Sequence, residues 1–193
     1  MVVKSEHDPT KWERQFREGG WDFLKSENQI ARYSVLSSYM KHLGRPIALL
    51  DVGCGEGLIL NFCDRKWLAH YSGVDISQTG LDRIKSLLPT DRLICSGLEE
   101  FTSQEKFDVI LFNEVLYYTA DPESHLKRFR NYLNPGGFIL ISSWKHAGLF
   151  SRNSRSVRAV WNLIGKCEWK KIDEVIIKNI PHKAIWRIAI MQP

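Results

Sequence analysis

The stretch Leu50-Asp51-Val52-Gly53-Cys54-Gly55-Glu56-Gly57 constrains the fold of this chain more than any other. It follows the short apolar run Pro46-Ile47-Ala48-Leu49-Leu50 and precedes Leu58, Leu60 and Phe62. A brief apolar run that ends on an acid predicts a strand buried on both faces of a parallel sheet. The apolar residues after Gly57 predict a helix. Glycines at every second position let the backbone turn tightly and let a ligand lie against it, and a helix N-terminus offers unpaired N–H groups. Strand, glycine turn and helix in that order predict a nucleotide-type ligand.

Asp51 narrows the choice. A dinucleotide turn reads G-x-G-x-x-G to hold a pyrophosphate, whereas the spacing here is G-x-G-x-G. A carboxylate at the mouth of the turn repels phosphate and suits an ammonium group. The expected ligand is therefore cationic near the loop. A second acid, Asp75, ends a predicted strand over residues 69–76. It stands about 20 residues past the turn, where it can accept from ribose hydroxyls or cap the helix predicted by Ser77, Leu81, Ile84 and Leu88.

Further strands are predicted over residues 92–96, 107–113 and 138–143, the second of these rich in β-branched and aromatic residues. Asp121-Pro122 reads as the N-cap and first residue of a helix carrying Leu126, Phe129 and Leu133, stopped by Asn134-Pro135-Gly136-Gly137. A helix over 153–164 follows, and residues 172–177 and 184–190 form a closing hairpin. In the leader, a helix from about residue 10 sets Trp12 and Phe16 on one face as packing groups, like Tyr39. Ser26 and Gln29 match a capping box for a helix over 27–43. The expected fold is α/β: a Rossmann-like seven-stranded, mostly parallel sheet with a C-terminal antiparallel hairpin and helices on both faces. Residues 1–44 form a helical cap over the site and 45–193 the main domain.

Composition bounds the setting. The chain is 44% hydrophobic and lacks an apolar run of the roughly 20 residues that cross a bilayer. Its first residues hold no signal-peptide core, so a cytoplasmic protein without a membrane partner is expected. Cys54, Cys63, Cys95 and Cys167 show neither a C-x-x-C pair nor zinc spacing, predicting reduced core thiols and no metal. Charge is uneven, with 17 Lys/Arg against 19 Asp/Glu before Lys145 and 10 against 3 from there on. That basic quarter could meet nucleic acid, although its cations are scattered as on a solvated face.

On these residues the chain resembles the class I S-adenosylmethionine-dependent methyltransferases. Residues 50–57 look like that family's first motif, and Asn113-Glu114-Val115-Leu116-Tyr117-Tyr118 looks like its fourth. The likeness runs over roughly residues 21–143 and is nearest to a small-molecule branch that includes the nodulation N-methyltransferase. It implies S-adenosylmethionine as cofactor, S-adenosylhomocysteine as product, and cofactor contacts at Trp21, Arg32, Asp51, Gly53, Cys54, Gly55, Asp75, Ile76, Gly97, Leu98, Glu99 and Asn113. Arg32 suits the methionine carboxylate, Asp75 the ribose, and Leu98 and Glu99 the adenine. The family's usual adenine-binding acid stands as Gly97 here. The Asn/Asp-Pro-Pro-Tyr/Phe sequence that holds a flipped base is lacking, which disfavours methylation of nucleobase amines.

The implied reaction is methyl transfer to N or O of a small molecule, governed by positioning. Glu114, Tyr117 and His146 are the candidates for acid–base or orienting work. Alternatives are an RNA or protein methyltransferase using the basic quarter, and a non-catalytic S-adenosylmethionine-binding protein. Monomer and homodimer are both compatible with the sequence.

Overall fold

The computed structural model describes residues 8–85, 92–146 and 152–193, with side chains for all of these except His146 and residues 152–154. Seven strands form one sheet: β1 (Ile47–Val52), β2 (Leu68–Asp75), β3 (Arg92–Cys95), β4 (Phe107–Asn113), β5 (Leu133–His146), β6 (Lys170–Asn179) and β7 (Ala184–Gln192). Their order is β3-β2-β1-β4-β5-β7-β6. The first five run parallel, while β7 lies antiparallel between β5 and β6. The expected architecture is therefore the one found. Among the described residues five α-helices accompany the sheet: α1 (Pro9–Arg17), α2 (Ile30–Met40), α3 (Gln78–Ile84), α4 (Pro122–Arg130) and α5 (Arg152–Lys166).

Two-residue periodicity sorts the core. Leu50, Val52, Ile110, Phe112, Ile139 and Ile141 pack with Leu126 and Phe129 of α4 and with Val157, Val160, Trp161 and Ile164 of α5. Their alternates Leu49, Val109, Leu111 and Leu140 face Tyr33, Leu36 and Met40 of α2. Each large apolar side chain so buried contributes about 1.5–3 kcal/mol. Both faces are covered, as continuous apolar strands require.

The amino edge of the sheet is tied by Asp108, which is 5% exposed. It accepts from Arg45 Nη1 (3.1 Å) and Nη2 (2.8 Å), the Ala48 N–H (2.8 Å) and Asn134 Nδ2 (3.0 Å). Burial pushes this carboxyl up, but the four donors, Arg45 foremost, hold it below its ordinary value.

Several local expectations differ. The residues after Gly57 make two short 3-10 turns, Leu58–Asn61 and Arg65–Trp67, in place of a helix. The Ser26–Gln29 capping box does not form. Ser26 Oγ donates to Phe23 O, and Gln29 Oε1 is taken by Arg32, so a 3-10 turn Glu27–Gln29 precedes a shorter α2. Ser77, rather than Asp75, caps α3 by accepting from the Gly80 N–H; the predicted Leu88 lies outside the described residues. The α4 helix stops at Arg130, and Leu133 already pairs with Phe107 in β5. Residues 134–137 are a register shift within that strand, not a helix stop. Of the four thiols only Cys54 is buried; Cys63 and Cys167 are half-buried and Cys95 is exposed, so the core placement holds for one.

Candidate functional site

Strand order reverses between β1 and β4, because β1 continues to β2 on one side and β3 returns to β4 on the other. Ligands of open α/β sheets sit beyond the carboxyl ends of the strands at that point. A cavity of about 410 Å³ lies there, a volume in the ordinary range for small-ligand sites. Its floor is the glycine loop. The N–H groups of Gly53 and Cys54 both donate to Val74 O, at 2.7 and 3.0 Å. Gly53 has φ +69°, and a Cβ there would lie 2.6 Å from Val115 Cγ2. Only glycine fits this approach of β1 to the β4 exit.

Asp51 lines the cavity and is 2% exposed. The Tyr71 hydroxyl donates to its Oδ2 at 3.0 Å. Burial, with a smaller push from Asp75, raises the Asp51 carboxyl to about 7, and the Tyr71 hydrogen bond only moderates the rise. Asp75 also lines the cavity, accepting from the Gly55 N–H (2.7 Å) and the Ser77 N–H (2.9 Å). Burial raises it too, against those backbone donors. A third acid, Glu56, is balanced by Lys25 at 2.8 Å and by Arg83. Sequence reasoning did not pick out Glu56, because its partners lie 31 and 27 residues away and no local pattern links them.

Arg32 is fully buried and lines the cavity. Its Nε and Nη2 donate to Gln29 Oε1 at 3.2 and 3.0 Å, and its Nη1 donates to Asn113 Oδ1. Glu114 Oε1 stands 4.0 Å from the same guanidinium. The Glu114 carboxylate accepts from Ser142 Oγ (2.7 Å), the Trp144 N–H (2.7 Å) and the Tyr117 hydroxyl (2.9 Å). It fastens the end of β4 to β5. Burial, with Glu114 and Tyr118 beside it, pushes the Tyr117 hydroxyl well up, so it remains a donor.

Ile76, Gly97 and Leu98 line the cavity at the β2 and β3 exits. Arg128 holds this loop by donating to the carbonyls of Leu98, Glu99 and Phe101. The Glu99 side chain is not on the lining; it faces His125 Nε2 at 3.3 Å. Two residues past Gly97, the chain has already turned away toward α4. His146 ends β5 opposite Ala184, and its side chain lies outside the described residues.

The roof is aromatic. Trp21 lines the cavity, and so do Trp12 and Phe16, which sequence reasoning treated as packing only. Helical spacing placed them on one face of a segment expected to cap the site but did not turn that face toward the cavity. Tyr39 lies elsewhere, donating to Asp173 at 2.7 Å. The roof is tied down by Glu13, which accepts from Ser77 Oγ (2.7 Å), the Thr79 N–H (3.2 Å) and Thr79 Oγ1, and by Arg83, which donates to Phe16 O (2.7 Å). Among the described residues, no group of three His, Cys, Asp or Glu side chains could hold a metal ion, and no helix is long and apolar enough to cross a membrane.

Residues 7–167 match the family model of a methyltransferase domain. The ubiquinone biosynthesis O-methyltransferase of Bradyrhizobium diazoefficiens is 32% identical over 133 residues, covering 65% of this chain and 52% of that protein. The chain thus spans about half the length of the curated relatives it matches. Among solved structures, the N-methyltransferase NodS from Bradyrhizobium japonicum WM9 in complex with S-adenosylhomocysteine superposes with a TM-score of 0.77 at 15% identity, covering 94% of this chain and 96% of that one. The Burkholderia thailandensis 1,6-didemethyltoxoflavin-N1-methyltransferase, with 1,6-didemethyltoxoflavin and S-adenosylhomocysteine bound, gives 0.71 at 17% identity over 96% and 87%. At these identities the two structures share the fold.

Proposed function

The chain belongs to the methyltransferase domain family, and from that premise we propose that it is an S-adenosylmethionine-dependent methyltransferase acting on N or O of a small molecule. The observation that carries this reading is Asp51: a buried carboxyl with one hydrogen bond from Tyr71, raised to about 7, beside a backbone loop closed to any Cβ. Such a group favours a cation and repels a diphosphate.

In this reading Asp51 meets the ammonium of the methionine moiety, with Gly53, Cys54 and Gly55 along its length. Asp75 keeps acceptor capacity for ribose hydroxyls, Ile76, Gly97 and Leu98 flank the adenine, and Trp21 covers the cofactor. Arg32, held by Gln29 and Asn113, offers its charge to the methionine carboxylate. Bound there, S-adenosylmethionine would supply an electrophilic methyl group to the lone pair of the acceptor N or O and leave as S-adenosylhomocysteine, with the acceptor proton going to water or a base. Glu114 and Tyr117 orient the wall against which the acceptor rests. His146, at the end of β5, is the candidate base. Residues 1–44 act as a cap and 45–193 as the catalytic domain. Unpaired cysteines suit a reducing compartment such as the cytoplasm.

The test is to incubate the protein with methyl-labelled S-adenosylmethionine and fractionated metabolite, glycan and RNA pools. Label is expected in a small-molecule fraction. Calorimetry showing uptake of NAD or FAD, and none of S-adenosylhomocysteine, would refute the reading.

A further inference from the structure

Rings from distant parts of the chain meet over the cavity in one unbroken series. Phe23 packs on Trp21 with centroids 5.9 Å apart, Trp21 stacks on Trp12 at 5.6 Å and 15°, and Trp12 meets Tyr118 edge-on at 4.8 Å and 77°. The series joins the roof to the β4 exit, the side away from Asp75 and Gly97. Ring faces and edges of this kind reward a flat π-system by about 0.5–1.5 kcal/mol per contact beyond simple burial.

Charge on the same lining is one-sided. Asp51, Glu56, Asp75 and Glu114 are acidic, and Arg32 is the cationic residue among the described lining residues. Arg32 is fully buried and already serves Gln29, Asn113 and the nearby Glu114. In the proposed reading Arg32 goes to the methionine carboxylate, so among the described lining residues an acceptor carboxylate would find no uncommitted cation, and it would face like charges. A cationic acceptor fares no better, because the sulfonium it must approach is itself positive and attack needs a free lone pair.

We infer that the methyl acceptor is an uncharged planar ring compound, held against the Trp12–Tyr118 contact. This rests on the methyltransferase reading and narrows its substrate class. The discriminating experiment uses the protein saturated with S-adenosylhomocysteine and three probes matched in skeleton: 2-naphthol, 2-naphthoate and the saturated decahydro-2-naphthol. By equilibrium dialysis 2-naphthol is expected to bind at least tenfold tighter than either of the others. Trp12→Leu should weaken it at least fivefold and Trp12→Phe restore most of the loss, with Tyr118→Leu as the parallel variant should Trp12→Leu not fold. Equal or tighter binding of the anionic or the saturated probe, or no binding of 2-naphthol to the loaded protein, overturns the inference. Failure to take up S-adenosylhomocysteine overturns the parent reading instead, and this one with it.

Discussion

Two buried aspartates on neighbouring parallel strands, Asp108 of β4 and Asp51 of β1, stand at opposite ends of the sheet. Asp108 at the amino edge has four donors supplied by the chain, and its carboxyl is held below the ordinary value. Asp51 at the carboxyl edge is at least as buried, has the Tyr71 hydroxyl, and is raised to about 7. The first carboxylate is completed by folding. In the proposed reading the second is completed by the bound cofactor. Both side chains are nearly closed to solvent, so the partner inventory is what distinguishes a structural tie from the proposed binding group.

That contrast can be broken by experiment. The largest expected effect is on Asp51→Ala, which should cost about 100-fold in S-adenosylhomocysteine affinity by calorimetry while leaving the melting temperature unchanged or higher. Loss of folding would show Asp51 to be structural after all. Asp108→Ala should do the reverse. It is expected to destabilise by about 2 kcal/mol in urea unfolding, because the half-buried Ala48 N–H and Asn134 amide lose their partner, with affinity per folded molecule within about threefold.

The pH dependence sharpens the same point. A carboxyl raised to about 7 must give up its proton before it can pair with an ammonium. Affinity should therefore fall about tenfold per pH unit below 7 and level off above it, flattening in Asp51→Asn. The same rise means that Asp51 favours the unliganded fold below the unfolded carboxyl range, a contribution lost as pH climbs through about 7. The smallest effect is expected at a third carboxylate, Glu174, which is paired on the surface with Lys171 at 2.6 Å and with Arg187. Removing the more than one-third exposed Lys171 by Lys171→Ala should move stability by less than about 0.5 kcal/mol. A larger shift would show that a partly exposed pair ties the fold as firmly as the donors around Asp108.

What the sequence made legible follows from the range of the forces involved. Strand β4 falls on the predicted residues 107–113, and β6 and β7 pair as the expected hairpin, since alternation and turn residues act within a few positions. The glycine loop was readable for the same reason: Gly53, Gly55 and Gly57 all take positive φ. Long-range ties were not readable. Nothing local announces that Glu56 balances Lys25 and Arg83, that Arg32 claims Gln29 from its helix cap, or that Trp12 faces a cavity instead of a core. Apolar spacing after Gly57 suggested a helix where two 3-10 turns form.

Glu114 carries a last consequence. Its backbone sits at φ 62°, left-handed for a residue with a Cβ, a conformation that costs about 1–2 kcal/mol. Three hydrogen bonds from Ser142, Trp144 and Tyr117 hold it there. The junction between the glycine-loop floor and the β4–β5 wall of the cavity is thus set by folding, before any guest arrives. A lineage changing its guest would then be free to vary the rings of the roof, whereas altering this corner would unsettle both halves of the chamber at once.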